Sequence, residues 1–238
     1  MYQGHSVLVI LPALNEASKV GKVIGKVPAD IIDTVLVVDD GSTDETPHEA
    51  EEAGAMVIQH EVNRGVGAAI RTGIDYALAN GYDITVIMAS DDQDEPAEIV
   101  RLLHPIVSDD YDYVHGSRYL EGGRRVNHPF HRTLMTWFYS LSFRLVVGYP
   151  ITDGTNGFRA FRTTICKNIN LWQDWLDRYE LEPYLYHQAI KRGFRVKEVP
   201  VTKIYPADAG VSYTKMRPLV DWWRIFRPLV FLFLGIKK

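Results

Sequence analysis

Cysteine is almost missing from this chain: Cys166 is the only one in 238 residues. A disulfide framework and any multi-cysteine zinc site are therefore excluded. Long hydrophobic runs are missing too. The longest, residues 229–236, falls far below the roughly 20 residues needed to span a bilayer. There is no basic excess: 26 Lys and Arg face 30 Asp and Glu, and the pI is near 6.1. A nucleic-acid binder is not expected from that balance. No charged-then-apolar leader opens the chain, so the expected setting is cytoplasmic, at the inner face of a membrane if one is involved.

The material present is that of an ordinary folded protein, 46% hydrophobic and 24% charged. The length predicts one large α/β domain with a short appendage. Residues 1–210 form the domain, with a first half at 1–117 and a second at 118–210. Residues 211–238 form a basic amphipathic tail, with six Lys or Arg against Asp221.

Short apolar runs at 6–11, 34–38, 56–59, 84–88 and 112–115 read as buried parallel strands. They alternate with helical stretches at 17–27, 46–53, 66–80 and 96–103, which predicts a mostly parallel sheet with helices on both faces. Beyond it, 132–147 and 218–234 read as aromatic helices, 181–191 as a further helix, and 157–161 and 195–201 as strands.

Chemistry concentrates where strands end. The first strand runs into Pro12-Ala13-Leu14-Asn15-Glu16, the second into Val38-Asp39-Asp40-Gly41-Ser42-Thr43-Asp44, and the fourth into Ser90-Asp91-Asp92-Gln93-Asp94. Ligands of open α/β sheets sit at the carboxyl ends of strands. Acids gathered there repel one another unless a cation neutralises them, and a hard divalent ion would also recruit phosphate. Asn63-Arg64-Gly65-Val66-Gly67 has neither dinucleotide-fold spacing nor a P-loop Lys.

These segments, in this order, resemble the signature motifs of inverting family 2 glycosyltransferases, above all the dolichyl- and polyprenyl-phosphate sugar synthases. The likeness continues in Gly116-Ser117-Arg118-Tyr119, in Asp153 to Arg159 and in Glu198-Val199-Pro200. It implies a GT-A fold, a Rossmann-like nucleotide-sugar half followed by an acceptor half. It implies a UDP- or GDP-linked sugar donor, a divalent metal (Mn2+ or Mg2+) and a lipid phosphate acceptor, with a membrane surface and a second copy of the chain as further candidate partners. The donor would meet Pro12, Ala13, Leu14, Asn15, Glu16, Val38, Asp39, Asp40, Asn63, Gly67, Ser90, Asp91 and Asp92. The glycine-rich segment would let backbone approach the nucleotide and open a helix whose N-terminus favours anions.

The family's metal motif, Asp-x-Asp followed after one residue by Gln, aligns its first acid with Ala89. Asp91 and Gln93 keep their places as the metal pair, and Asp92 or Asp94 is the candidate replacement. The resemblance sets Arg118, Arg132 and Lys215 near the phosphates; Arg132, Arg159 and Glu182 are the candidates for meeting the acceptor. Fixed cations stabilise a departing diphosphate. A phosphate acceptor is largely dianionic at neutral pH and attacks without a base. A sugar hydroxyl needs one, for which Asp153 is the first candidate and Glu182 the next. Transfer to a hydroxyl, and nucleotide-sugar binding without catalysis, are the two rival readings.

Overall fold

The computed structural model describes residues 1–128, 130–205 and 220–236, the side chains of 130–132 and 220–222 excepted. Lys215, Arg217 and the expected boundary at 210/211 lie outside the described residues.

A seven-stranded sheet runs in the order β3-β2-β1-β4-β7-β5-β8. Its members are β1 (Val7–Ala13), β2 (Thr34–Asp39), β3 (Met56–Gln59), β4 (Ile84–Ile87), β5 (Tyr113–Ser117), β7 (Arg159–Arg162) and β8 (Val196–Pro200). β1 pairs in parallel with β2 and β4, β2 with β3, and β5 with β8. β7 alone runs antiparallel, wedged between β4 and β5. A second, two-stranded parallel ladder joins β6 (Arg124–Val126) to β9 (Thr202–Ile204).

Alternation along β1 explains the two layers. Val7, Val9 and Leu11 face one side, where they meet α1 (Ala17–Lys26), α2 (Thr46–Glu52) and α4 (Ile99–Ser108) through Val20, Ala50 and Leu102. Leu8 and Ile10 face the other, against α3 (Val66–Ala79), α5 (Phe130–Val147) and α6 (Leu181–Lys191). Each such side chain, fully buried, contributes roughly 1.5–3 kcal/mol. α7 (Val220–Phe233) joins this second layer through Leu229 and Leu232.

The expected strands and helices are present, with ends shifted by a few residues. Antiparallel β7 is the chief departure from a uniformly parallel reading. It places the start of β7 at the same edge as the ends of β4 and β5.

Candidate active site

Because β1, β2, β4, β5 and β8 point the same way, the loops that follow them share one rim. Side-chain hydrogen bonds stitch those loops together. Asn15, in the left-handed region at φ 51, donates its N–H to Ser42 Oγ at 2.8 Å, and its Oδ1 accepts the Thr43 N–H at 2.8 Å. Asp39, fully buried, accepts from Ser42. Glu16 donates its N–H to Thr46 Oγ1 at 2.7 Å and its carboxylate pairs with Lys19. Ser90 Oγ donates to Pro12 O at 2.8 Å, tying the β4 loop to the β1 loop.

Between these loops and the segment before α6 opens a cleft of about 460 Å³. Pro12, Ala13, Leu14, Asp40, Asn63, Gly65 and Val66 line one side of it, and Arg178, Tyr179 and Arg224 complete it. Asp40 is 3% exposed. Its carboxylate accepts the N–H groups of Arg64 (2.9 Å) and Gly65 (2.7 Å) and lies 2.8 Å from His60 Nδ1. The anion at the start of α3 is therefore the chain's own Asp40, which shapes the glycine-rich turn that borders the cleft.

Two of the expected donor-side residues, Val38 and Gly67, are enclosed by the chain itself. Val38 is fully buried in the core and offers no side chain to the cleft. The space at Gly67 is filled by the chain itself: a Cβ there would lie 2.0 Å from Leu176 O and 2.6 Å from Arg178 O. The Ala68 N–H donates to Asp177 O at 3.0 Å, so Gly67 admits residues 176–178, while Gly65 also borders the cleft.

At the β4 loop, Asp91 is half-buried and its Oδ1 accepts the Gln93 N–H at 3.2 Å. Burial raises the Asp91 carboxyl pKa, against the opposing pull of Lys203. Neither neighbour supplies the acid missing at Ala89. Asp92, at φ 61, turns outward to Lys26 Nζ at 2.6 Å. Asp94 Oδ1 pairs with Lys203 Nζ at 3.0 Å while its Oδ2 accepts the Ala89 N–H at 3.2 Å. Among the described residues no group of three or more His, Cys, Asp or Glu is placed to hold a metal. Asp91 and Gln93 are the groups here that would hold a divalent cation, since Mg2+ needs only one or two carboxylates beside substrate phosphates.

The second half of the rim is built around paired charges. Arg118, 5% exposed, donates from Nε and Nη2 to the two oxygens of Asp153 at 2.6 and 2.7 Å. It also reaches Tyr205 Oη and Thr155 Oγ1. Burial acts to raise the Asp153 carboxyl, but Arg118 outweighs it and pulls the pKa down to about 2. Asp153 is thus held as the counterion of Arg118. Glu198 holds the same loop, accepting the N–H groups of Thr152 and Asp153. Arg159 and Glu182, both expected on the acceptor side, pair with each other at 2.9 Å. Arg159 is 2% exposed and also donates to Tyr113 Oη, so its guanidinium is spent inside the protein. Arg132 lies in α5, its side chain outside the described part of the structure.

Arg178, Tyr179, Arg224 and Lys203 belong to the rim but to no motif read from the sequence. Only Lys203 carried a signal, standing just after Glu198-Val199-Pro200 at the end of a strand.

The family model described as glycosyl transferase family 2 matches residues 8–169. The chain belongs to glycosyl transferase family 2. It is 35% identical over 212 residues to the polyprenol monophosphomannose synthase of Mycolicibacterium smegmatis, covering 86% of this chain and 79% of that protein. It is 30% identical to the UDP-N-acetylglucosamine–dolichyl-phosphate N-acetylglucosaminyltransferase of Methanococcus voltae, covering 96% of both. Among solved structures, glucosyl-3-phosphoglycerate synthase from Mycobacterium tuberculosis superposes with a TM-score of 0.73 at 21% identity, over 98% of this chain and 80% of that one. That likeness establishes a shared GT-A fold. The same synthase has been crystallised with Mn2+ and uridine diphosphate.

Proposed function

We propose that this protein transfers a sugar from a nucleoside diphosphate donor to a polyprenyl phosphate, by one in-line displacement with inversion. The observation that carries the choice of acceptor is the Arg118–Asp153 pair. The carboxylate best placed in sequence to serve as a base is fully buried, bidentate to arginine and held at a pKa of about 2. A hydroxyl acceptor needs a base with a pKa near the working pH. A phosphate acceptor is already ionised. The related synthases of M. smegmatis and M. voltae are named for polyprenol and dolichyl-phosphate acceptors.

In this reading the nucleoside enters the cleft beside Pro12 to Leu14, over the turn that Asp40 shapes, with Tyr179 as an apolar wall. Arg178 and Arg224 face the donor's negative charge. Asp91 and Gln93 would hold a divalent cation shared with the diphosphate. Such a cation, when bound, stabilises the charge of the leaving group. An oxygen of the lipid phosphate bonds to the anomeric carbon as the bond from that carbon to the donor diphosphate breaks, and no proton moves.

The lipid acceptor gives the apolar surface a purpose. On α5, Leu134, Trp137, Phe138, Leu141 and Leu145 recur at helical spacing and are all exposed, Leu145 at 78%. Tyr139 and Phe143 on the opposite face are fully buried. α7 packs against α5 through Phe226, which meets Tyr139 edge-on at 5.0 Å, and exposes Trp223 and Phe233. No helix among the described residues is long and apolar enough to cross a membrane. An interfacial helix pair, resting its aromatic side on lipid, fits these facts.

The test offers polyprenyl phosphate in detergent, or a saccharide, with labelled UDP- and GDP-sugars. Label is expected in the lipid, and Asp91→Asn is expected to abolish it while leaving the fold intact. Transfer to the saccharide alone would refute the acceptor assignment.

A further inference from the structure

Ala89 and Lys203 meet at one place. At Ala89 the loop has no acid where the family's motif has one, and across from it β9 sets an ammonium. Lys203 is anchored there by backbone as well as by charge: Asp94 and Lys203 form a β-bridge, and the Ile204 N–H donates to Gln93 O at 2.8 Å. Its side chain is 12% exposed and that of Asp94 is 1% exposed. Asp94 links the two positions directly, one oxygen on Lys203 Nζ at 3.0 Å and the other on the Ala89 N–H at 3.2 Å.

A buried carboxylate such as Asp94 is costly without an opposite charge beside it. Here the chain provides one covalently. The loop is therefore held in shape with no metal bound. A divalent ion entering beside Asp91 meets one fewer acid and the field of a fixed ammonium, which opposes it. We propose that Lys203 is the resident cation of the acid loop, so that this protein's hold on the donor diphosphate depends only weakly on a divalent metal. The proposal rests on the donor-binding reading above.

Calorimetry of GDP and UDP binding, each in EDTA and in excess Mn2+, tests it without reference to turnover. Metal that is strongly coupled to a ligand changes its affinity by up to about 150-fold. Wild-type protein is expected to change by less than about tenfold on the same scale. Lys203→Met is expected to lose affinity in EDTA and to recover part of it in Mn2+, and Lys203→Arg to behave like wild type. A Lys203 that merely braces the loop would cost Lys203→Met equally under both conditions, which overturns the proposal. So does a wild-type protein that binds nucleotide only with metal, a result needing no variant. Wild-type protein that binds neither nucleotide in either condition sinks the donor reading itself and the inference with it.

Discussion

Gly67→Ala separates two accounts of the glycine-rich turn. Alanine in place of glycine within a helix is ordinarily favourable by up to about 1 kcal/mol. At Gly67 the new Cβ would lie 2.0 Å from Leu176 O and 2.6 Å from Arg178 O, both backbone atoms that no rotamer change can move. Residues 176–178 must shift away, which weakens the Ala68 N–H bond to Asp177 O. That bond is worth about 1 kcal/mol net. Overpacking of this kind costs about 1–3 kcal/mol more. The clash therefore outweighs the propensity gain, for a net loss of about 1–3 kcal/mol. In a domain of this size the melting temperature falls by about 2–4 °C per kcal/mol. Nucleotide affinity should fall in parallel, because Arg178 and Tyr179 line the cleft from the displaced segment. Gly25→Ala is the control: nothing lies within 4 Å of its added Cβ. It should be neutral or stabilising by under about 1 kcal/mol. Scanning calorimetry and nucleotide titration read both effects. A Gly67→Ala protein as stable as wild type, with only nucleotide binding weakened, would show that the space belongs to the nucleotide and refute the packing account.

Asp153 sets an acid limit. Its pKa is depressed, so its contribution is present above the unfolded value near 3.8 and is lost as pH falls through about 2. The loss over that window amounts to about 2 kcal/mol. Asp153→Asn should flatten that part of the pH–stability curve and cost about 3–5 kcal/mol at neutral pH, because Arg118 is left buried and unpaired. Urea unfolding between pH 2 and 7 measures both, and an unchanged acid limb would contradict the assignment. Phe138→Ser with Leu145→Ser should lower partitioning onto liposomes more than tenfold, since burying each apolar side chain is worth about 1.5–3 kcal/mol. Flotation with unchanged lipid binding would remove α5 from the membrane face.

Strand periodicity and strand-end composition were local signals, and local signals carried the layer order, the shared rim and the acid loop. Met56–Gln59 is a strand as its composition predicts, and Pro12 to Leu14, Asp40 and Asn63 do line one cleft. Partner choice was not local. Arg118 reads in sequence as a cation awaiting phosphate, yet its charge is cancelled by Asp153, 35 residues on. Arg159 and Glu182 cancel each other in the same way. Gly67 reads as room for a ligand until residues 176–178 are seen to occupy it.

From its order of residues alone, then, the chain determined an α/β sheet whose acids and amides gather at the carboxyl ends of its strands, because side-chain alternation and turn chemistry act within a few residues. Folding in three dimensions decided which of the charged groups stay available. Antiparallel β7 carried Arg159 to its partner, and β9 carried Lys203 to Asp94 across 109 positions. Opposite charges removed from water must find each other, and which ones do is set by the packing of distant segments, not by their spacing along the chain.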